Sequence, residues 1–248
     1  RDDTLDILDQ VQEADNFAVY LQENWKPSKN IDINIGLRAT YYGLTDKIYY
    51  APRFTGQWSL TEKFKLKGGF GRHFQFVNRV INESITEGSR DFWLLADNDL
   101  VDVSQADHFV VGGSYQYKGF VFDVEAYYKN YYNLAEFSLR FQRQDTEIEE
   151  LFFKGDGYSR GTEFLVQKTQ GQYTAWVSYT LAEVIHTFPS LNDGQPFPAL
   201  HDTRHEFKMV HSYEAGNWTF ASTFVYASGK PYTEPDGQYT VTLLDGSQ

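Results

Sequence analysis

The sequence predicts an all-β protein, about ten strands of an antiparallel transmembrane β-barrel. Three observations predict it. The first is a period of two: in IDINIGLRATYY, residues 31–42, the residues Ile31, Ile33, Ile35, Leu37, Ala39 and Tyr41 are apolar, and Asp32, Asn34, Gly36, Arg38 and Thr40 between them are not. Such alternation sets one face of a strand against an apolar medium and the other against water. The second is the length of the alternating segments, and the third is the way their connections sort into short and long.

In order, the segments are 17–25, 31–42, 48–59, 64–73, 108–117, 120–130, 160–168, 172–181, 204–213 and 217–228. Most run about 9 to 12 residues, enough to cross a bilayer at about 45° of tilt, whereas strands in soluble proteins average about 5 to 6. Between them KPSKN, LTEK, KG, TQG and EAGN are tight turns, and 74–107, 131–159 and 182–203 are long loops; GLTDK alone breaks the alternation. A barrel in an outer membrane carries short turns on its periplasmic rim and long loops on its extracellular rim. A soluble sandwich has no reason to sort its loops so.

The later strands repeat the two-faced pattern. Phe120, Phe122, Val124, Ala126 and Tyr128 oppose Asp123, Glu125 and Lys129; Tyr173, Ala175, Val177, Tyr179 and Leu181 oppose Thr174, Trp176, Ser178 and Thr180. Trp218, Phe220, Phe224 and Tyr226 share a face that only Ser222 interrupts, and Leu165 is the apolar residue that falls on a polar side. Parity therefore turns Asp32, Asn34, Arg38, Arg53, Asp123, Glu125 and Lys129 toward a polar lumen, with Trp176 among them, and Ile31, Ile33, Ile35 and Leu37 toward lipid.

Composition narrows the class. No run of apolar residues is long enough for a transmembrane helix, and a negative mean hydropathy does not argue against a barrel, whose apolar residues are interleaved with polar ones. Cysteine is absent, which suits passage through an oxidising periplasm and excludes thiolate metal sites. A net charge of -12 without a basic face argues against a nucleic-acid partner. Tyrosine (18) and phenylalanine (20) are abundant, as in the aromatic girdles of membrane proteins, and Tyr41, Trp58, Tyr173, Trp218 and Tyr226 stand near strand ends. The acidic stretches RDDTLDILDQVQEAD and QDTEIEE read as solvated segments. Arg1 follows no signal-peptide pattern and TVTLLDGSQ stops inside what reads as another strand, so the chain is expected to be a piece of a longer polypeptide.

FAVYLQENWKPSKNIDINIGLRATYY, KLKGGFGRHFQ, VSQADHFVVGGSYQYKGFVFDVEAYYKNYYNLAEF, GYSRGTEFLVQKTQGQYTAWVSYTLA, FPSLNDGQPFPALHDTRHEFKMV and WTFASTFVYASGKPYTEP occur in this order along nearly the whole chain. Together they resemble the middle-to-late barrel of TonB-dependent outer-membrane receptors, of the Bacteroidetes type. The resemblance implies a barrel of about 22 strands around an N-terminal plug, the outer membrane of a Gram-negative bacterium as location, and import of a scarce nutrient (siderophore, glycan, peptide or similar). It implies as partners outer-membrane lipid, the receptor's own plug, TonB-ExbB-ExbD and a surface lipoprotein. Residues 1–248 hold neither plug nor TonB box nor a final strand ending in an aromatic residue, so residues 1–248 form a partial barrel domain.

The remaining motifs give no enzyme and call for no cofactor or metal. In HDTRH, His201 and His205 stand about 13 Å apart if extended, too far for one ion, and the polar start of a strand, with Asp202, Arg204 and Glu206 paired across neighbours, is the favoured reading. Asp97, Asp99 and Asp102 suggest a calcium loop but lack its Gly and Glu positions, which favours a solvated loop. Asp123 and Glu125 share a face at hydrolase-like spacing, yet the wall of a wide polar lumen does not desolvate an acid. There is no GxSxG, and the glycines of GGFGR, placed at a strand exit, and of GDGYSRG end in no P-loop lysine; close approach in the wall explains them. What remains is ligand binding by Trp93, Tyr131, Tyr132, Phe188 and Phe197 on the long loops, with Phe92 and Phe137 beside them and Trp176 in the lumen. The alternative for the loop rings, and the favoured one, is that they pack the loops over the barrel mouth. The function expected is import; a non-transporting barrel serving as a scaffold in a surface or secretion complex, and a soluble barrel binding module, are the competing readings.

Overall fold

The computed structural model describes residues 12–84, 88–137 and 152–232, with the side chains of residues 80–92 and 137 excepted. RDDTLDILDQV, QDTEIEE and TVTLLDGSQ lie outside the described residues, as do the rings of Phe92 and Phe137. The strands in chain order are β1 (Asn16–Ser28), β2 (Ile31–Tyr42), β3 (Lys47–Ser59), β4 (Phe64–Gln75), β5 (Val77–Ser84), β6 (Gly88–Leu95), β7 (Ser104–Tyr117), β8 (Phe120–Phe137), β9 (Phe152–Lys168), β10 (Tyr173–Thr187), β11 (Phe197–Pro198), β12 (His205–Ala215) and β13 (Trp218–Ala227). Ten of them form one antiparallel path, β1-β2-β3-β4-β7-β8-β9-β10-β12-β13, with β11 added to β10 and β5–β6 a separate hairpin. Each of the ten expected strands is present.

Register fixes the two faces, because residues directly opposite in an antiparallel pair point the same way. Ile35 opposes Phe54, Phe54 opposes Phe70 and Phe70 opposes Phe109, so one apolar row runs across four strands. Asp32 opposes Gln57 and Gln57 opposes Lys67 on the other face. Leu165 sits between Asp123 and Ser178 on the polar face, as its parity requires.

Three expectations about the connections need correction. The 74–107 connection holds the hairpin β5–β6 rather than loop alone. The 131–159 connection is strand at both ends, since β8 runs on to Phe137 and β9 begins at Phe152; Tyr131 and Tyr132 therefore lie on a strand and not on a loop. GGFGR lies inside β4, not at its exit, although its glycines do permit close approach: a Cβ on Gly69 would stand 3.1 Å from the Phe54 carbonyl oxygen. Tight turns match expectation, with Lys118 and Gly119 both at positive φ (46° and 81°), the conformation of a two-residue hairpin turn.

An apolar band about 25 Å tall is crossed by about 11 residues of a strand tilted near 45°. Counted up from the tight turns, that length reaches Asp107 on β7, Asn130 on β8, Tyr158 on β9 and Glu183 on β10. Charge returns to the apolar face at this level. Arg72 donates two hydrogen bonds of 2.7 Å to Asp107, and Arg160 and Arg204 both bond Glu183. Above it the strands project, and there the structure has a core: Tyr42 (1 % exposed), Ala96 and Val103 pack with Tyr49, Phe74 and Phe76, and Phe188 (0 %) packs with His186 and Phe197.

Candidate functional site

The polar face is the candidate site. Asn24 donates to Asp32 (2.6 Å) and Asn34 (2.8 Å), and Lys26 pairs with Asp32 (3.2 Å). Asn24, Asp32 and Asn34, with Gln57, Lys67 and Glu125, line a cavity of about 390 Å³. Lys67 closes the ring of charges: its Nζ lies 2.9 Å from both carboxylate oxygens of Asp123 and bonds Glu125 as well. One ammonium bridges both acids, so Asp123 and Glu125 are a charge lock between β4 and β8 rather than an acid/base pair. Parity sets these two acids on one face; their partner on another strand could be found only from register.

Higher on the same face stand Arg38, Arg53 and Lys129, with His73 and His108 among them; Arg53 lies directly opposite Gly36 and Gly71, and His108 opposite Gly71 and Lys129. The Lys129 ammonium lies 5.0 Å from the Tyr127 ring centroid. Trp176 joins Gln167, Thr174 and Ser212 around a cavity of about 310 Å³ near the tight turns.

The aromatic candidates do not converge. Trp93 projects from the hairpin, 67 % exposed; Tyr131 faces the lumen, Tyr132 the opposite side, and Phe197 is half-buried on β11. Phe188 offers nothing to a ligand, because its ring fills the space over Gly155, where a Cβ would lie 2.5 Å from Phe188 Cδ1. The GDGYSRG glycines thus serve ring packing: His186 lies over Gly157 and Tyr127 over Gly161.

The metal-like motifs resolve into local bonding. Asp97 Oδ1 accepts from the backbone N–H groups of Asp99 and Leu100 (2.9 and 3.0 Å), and Lys154 reaches the Asp99 carbonyl and Asp102 carboxylate at 3.0 Å each, holding with an ammonium the place a cation would take. His201 turns to His186 and His205 to Tyr179, so the two imidazoles of HDTRH serve different neighbours. Arg204 bonds Glu183 and lies 3.6 Å from Asp202, while Glu206 pairs with Lys208. Among the described residues no group of three or more His, Asp or Glu could hold a metal ion.

A two-faced sheet of bilayer-crossing strands, charged on one side and apolar on the other, defines part of the wall of a membrane-spanning β-barrel. The chain belongs to the TonB-dependent receptors: the family model "TonB dependent receptor-like, beta-barrel" matches residues 3–247. No curated protein matches the sequence. Solved structures similar in fold include the siderophore receptor PirA from Acinetobacter baumannii (TM-score 0.61, 13 % identity, 90 % of this chain and 35 % of that one). The ferripyoverdine receptor of the outer membrane of Pseudomonas aeruginosa is another (0.61, 12 %, 86 % and 31 %), as is the FrpB iron transporter from Neisseria meningitidis (0.59, 12 %, 86 % and 32 %). The chain spans about a third of the length of these proteins. At such identities the likeness concerns the fold.

Proposed function

We propose that the protein is an outer-membrane receptor of a Gram-negative bacterium that binds a scarce solute at its loop-bearing end and imports it through the lumen. The energy comes from TonB-ExbB-ExbD, acting on a plug that this segment of wall surrounds. The observation that carries the reading is the polar lumen face on a sheet whose whole length matches the receptor barrel family. Trp93 and Phe197 are the outer ligand contacts, Tyr131 and Trp176 the further ones, and Phe188 stiffens the segment that presents Phe197. A surface lipoprotein would approach from the same end. The wall itself is passive and import depends on a change of plug state biased by TonB.

The test is uptake in matched cells that contain or lack TonB, with the full-length receptor present or deleted. Solute accumulation that needs both supports the reading. Receptor-dependent surface assembly that persists without TonB, with no uptake lost, would instead identify a scaffold.

A further inference from the structure

The chain carries a net charge of -12, yet its lumen face gathers unpaired cations. Arg53, Gly71, His108 and Lys129 lie on one ladder line across β3, β4, β7 and β8. At about 4.8 Å per strand the line is about 14 Å long, and Arg38 stands one diagonal step from Arg53. Both residues opposite Arg53 are glycines, so no side chain from β2 or β4 covers its guanidinium at that level. The His73 ring folds into the space above Gly71, its Nε2 3.0 Å from where a Cβ would be, and the charges of Arg53, Asp107 and Lys129 all reach it.

The acids nearby are already engaged. Glu125 and Asp123 share Lys67, and Asp107 on the opposite face is held by Arg72. Among the described residues Glu163 has no cation, but it lies four residues below Ser159, the residue opposite Lys129, about 13 Å along β9. Among the described residues Arg38 has only a 3.3 Å hydrogen bond to Thr40 Oγ1, and Arg53 and Lys129 have no carboxylate partner. A cation row with no carboxylate partner among the described residues attracts an anion.

We infer that this row, Arg38, Arg53 and Lys129 with His73 and His108, is an anion-binding track for a carboxylate- or phosphate-bearing solute. The inference rests on the import reading and narrows its substrate to an anionic class.

The experiment is calorimetric titration of the full-length receptor in detergent micelles with pyrophosphate, and with sucrose as the uncharged control. The wild type binds pyrophosphate, less tightly as salt is raised, and does not bind sucrose. The R53Q/K129Q variant binds it about tenfold more weakly, two part-exposed charge contacts being lost. Both proteins are first shown to be folded by heat-modifiable migration, which a polar exchange on the lumen face leaves intact. Equal pyrophosphate affinity in both proteins, or saturable binding by neither, overturns the inference. Unchanged binding together with a plug that becomes protease-accessible in the variant also overturns it, by assigning the row to a carboxylate of the plug. TonB-dependent uptake scored in parallel separates the two readings: import that persists without pyrophosphate binding removes the anionic track alone.

Discussion

The wall and the loop-bearing end of this molecule are held together by different means. Along the wall Val111 is 63 % exposed, Ile35 50 % and Leu37 47 %, so the spanning strands bury almost nothing against protein. Beyond the band, Tyr42, Val101 and Phe188 are fully buried. In water the wall would be a large apolar patch and an aggregation hazard; in lipid it is solvated, and the strand ladder satisfies the backbone. Only the part that stands in water needs a core of its own.

Breaking that core gives the largest effect. Phe188→Ala empties the space between Gly155, His186 and Phe197 and costs about 3 kcal/mol or more of local stability, read as faster hydrogen exchange of amides 184–199. The global melting of the barrel stays where it was, since the strands below do not rely on this ring. A matching drop in the whole barrel's stability would show that wall and loop end are one cooperative unit.

Next comes the lipid face. Val111→Arg, near the middle of β7 and facing outward, costs about 2–4 kcal/mol in a reversible refolding assay in lipid vesicles, whereas Val110→Arg, its neighbour on the lumen face, costs under about 1 kcal/mol. Equal costs would mean that the faces are assigned wrongly. Smaller again, Lys67→Met leaves Asp123 and Glu125 facing one another without a cation and lowers stability by about 1 kcal/mol, a loss that added salt reduces because all three groups are part-exposed.

The effect that is smallest at neutral pH, and grows only in acid, is a pH response at the loop end. His186 stands three residues above the band, and burial pushes its imidazole down to about 4 from an ordinary value of 6.5, with the neighbouring His201 acting in the same direction. Its folded pKa is depressed, so the unfolded segment takes up a proton first, and stability falls as pH drops from about 6.5 toward 4. Exchange of amides 184–199 accelerates over that window, and His186→Phe flattens the response.

Much of this was legible because lipid writes a strict rule. Facing two solvents, β2, β8 and β10 must alternate, and their parity alone sets Asp32, Asn34, Asp123, Glu125 and Trp176 on the polar face. Where the strands leave the band the rule lapses. β8 slips register between Tyr131 and Leu134, where Asn133 turns to positive φ and donates its backbone N–H to Asp156, and no period survives to mark NLAEF as strand. VNRVINES likewise mixes apolar and polar residues on both parities, so the hairpin β5–β6 read as loop. Lys67 and Lys154 escaped for another reason: they answer acids 56 and 52 residues away in sequence, and only the fold brings them together.

The account's central claim is that one face of this sheet meets lipid and the other a water-filled lumen. The chain has no cysteine, so single cysteines from Phe120 to Lys129 of β8 can be placed in full-length receptor freed of any other thiol and held in outer-membrane vesicles. A membrane-impermeant maleimide should label positions 121, 123, 125, 127 and 129 and spare 122, 124, 126 and 128, while a lipid-borne bromine quencher should act on a probe at the second set alone. Labelling with no period of two, or with the two sets exchanged, would contradict it.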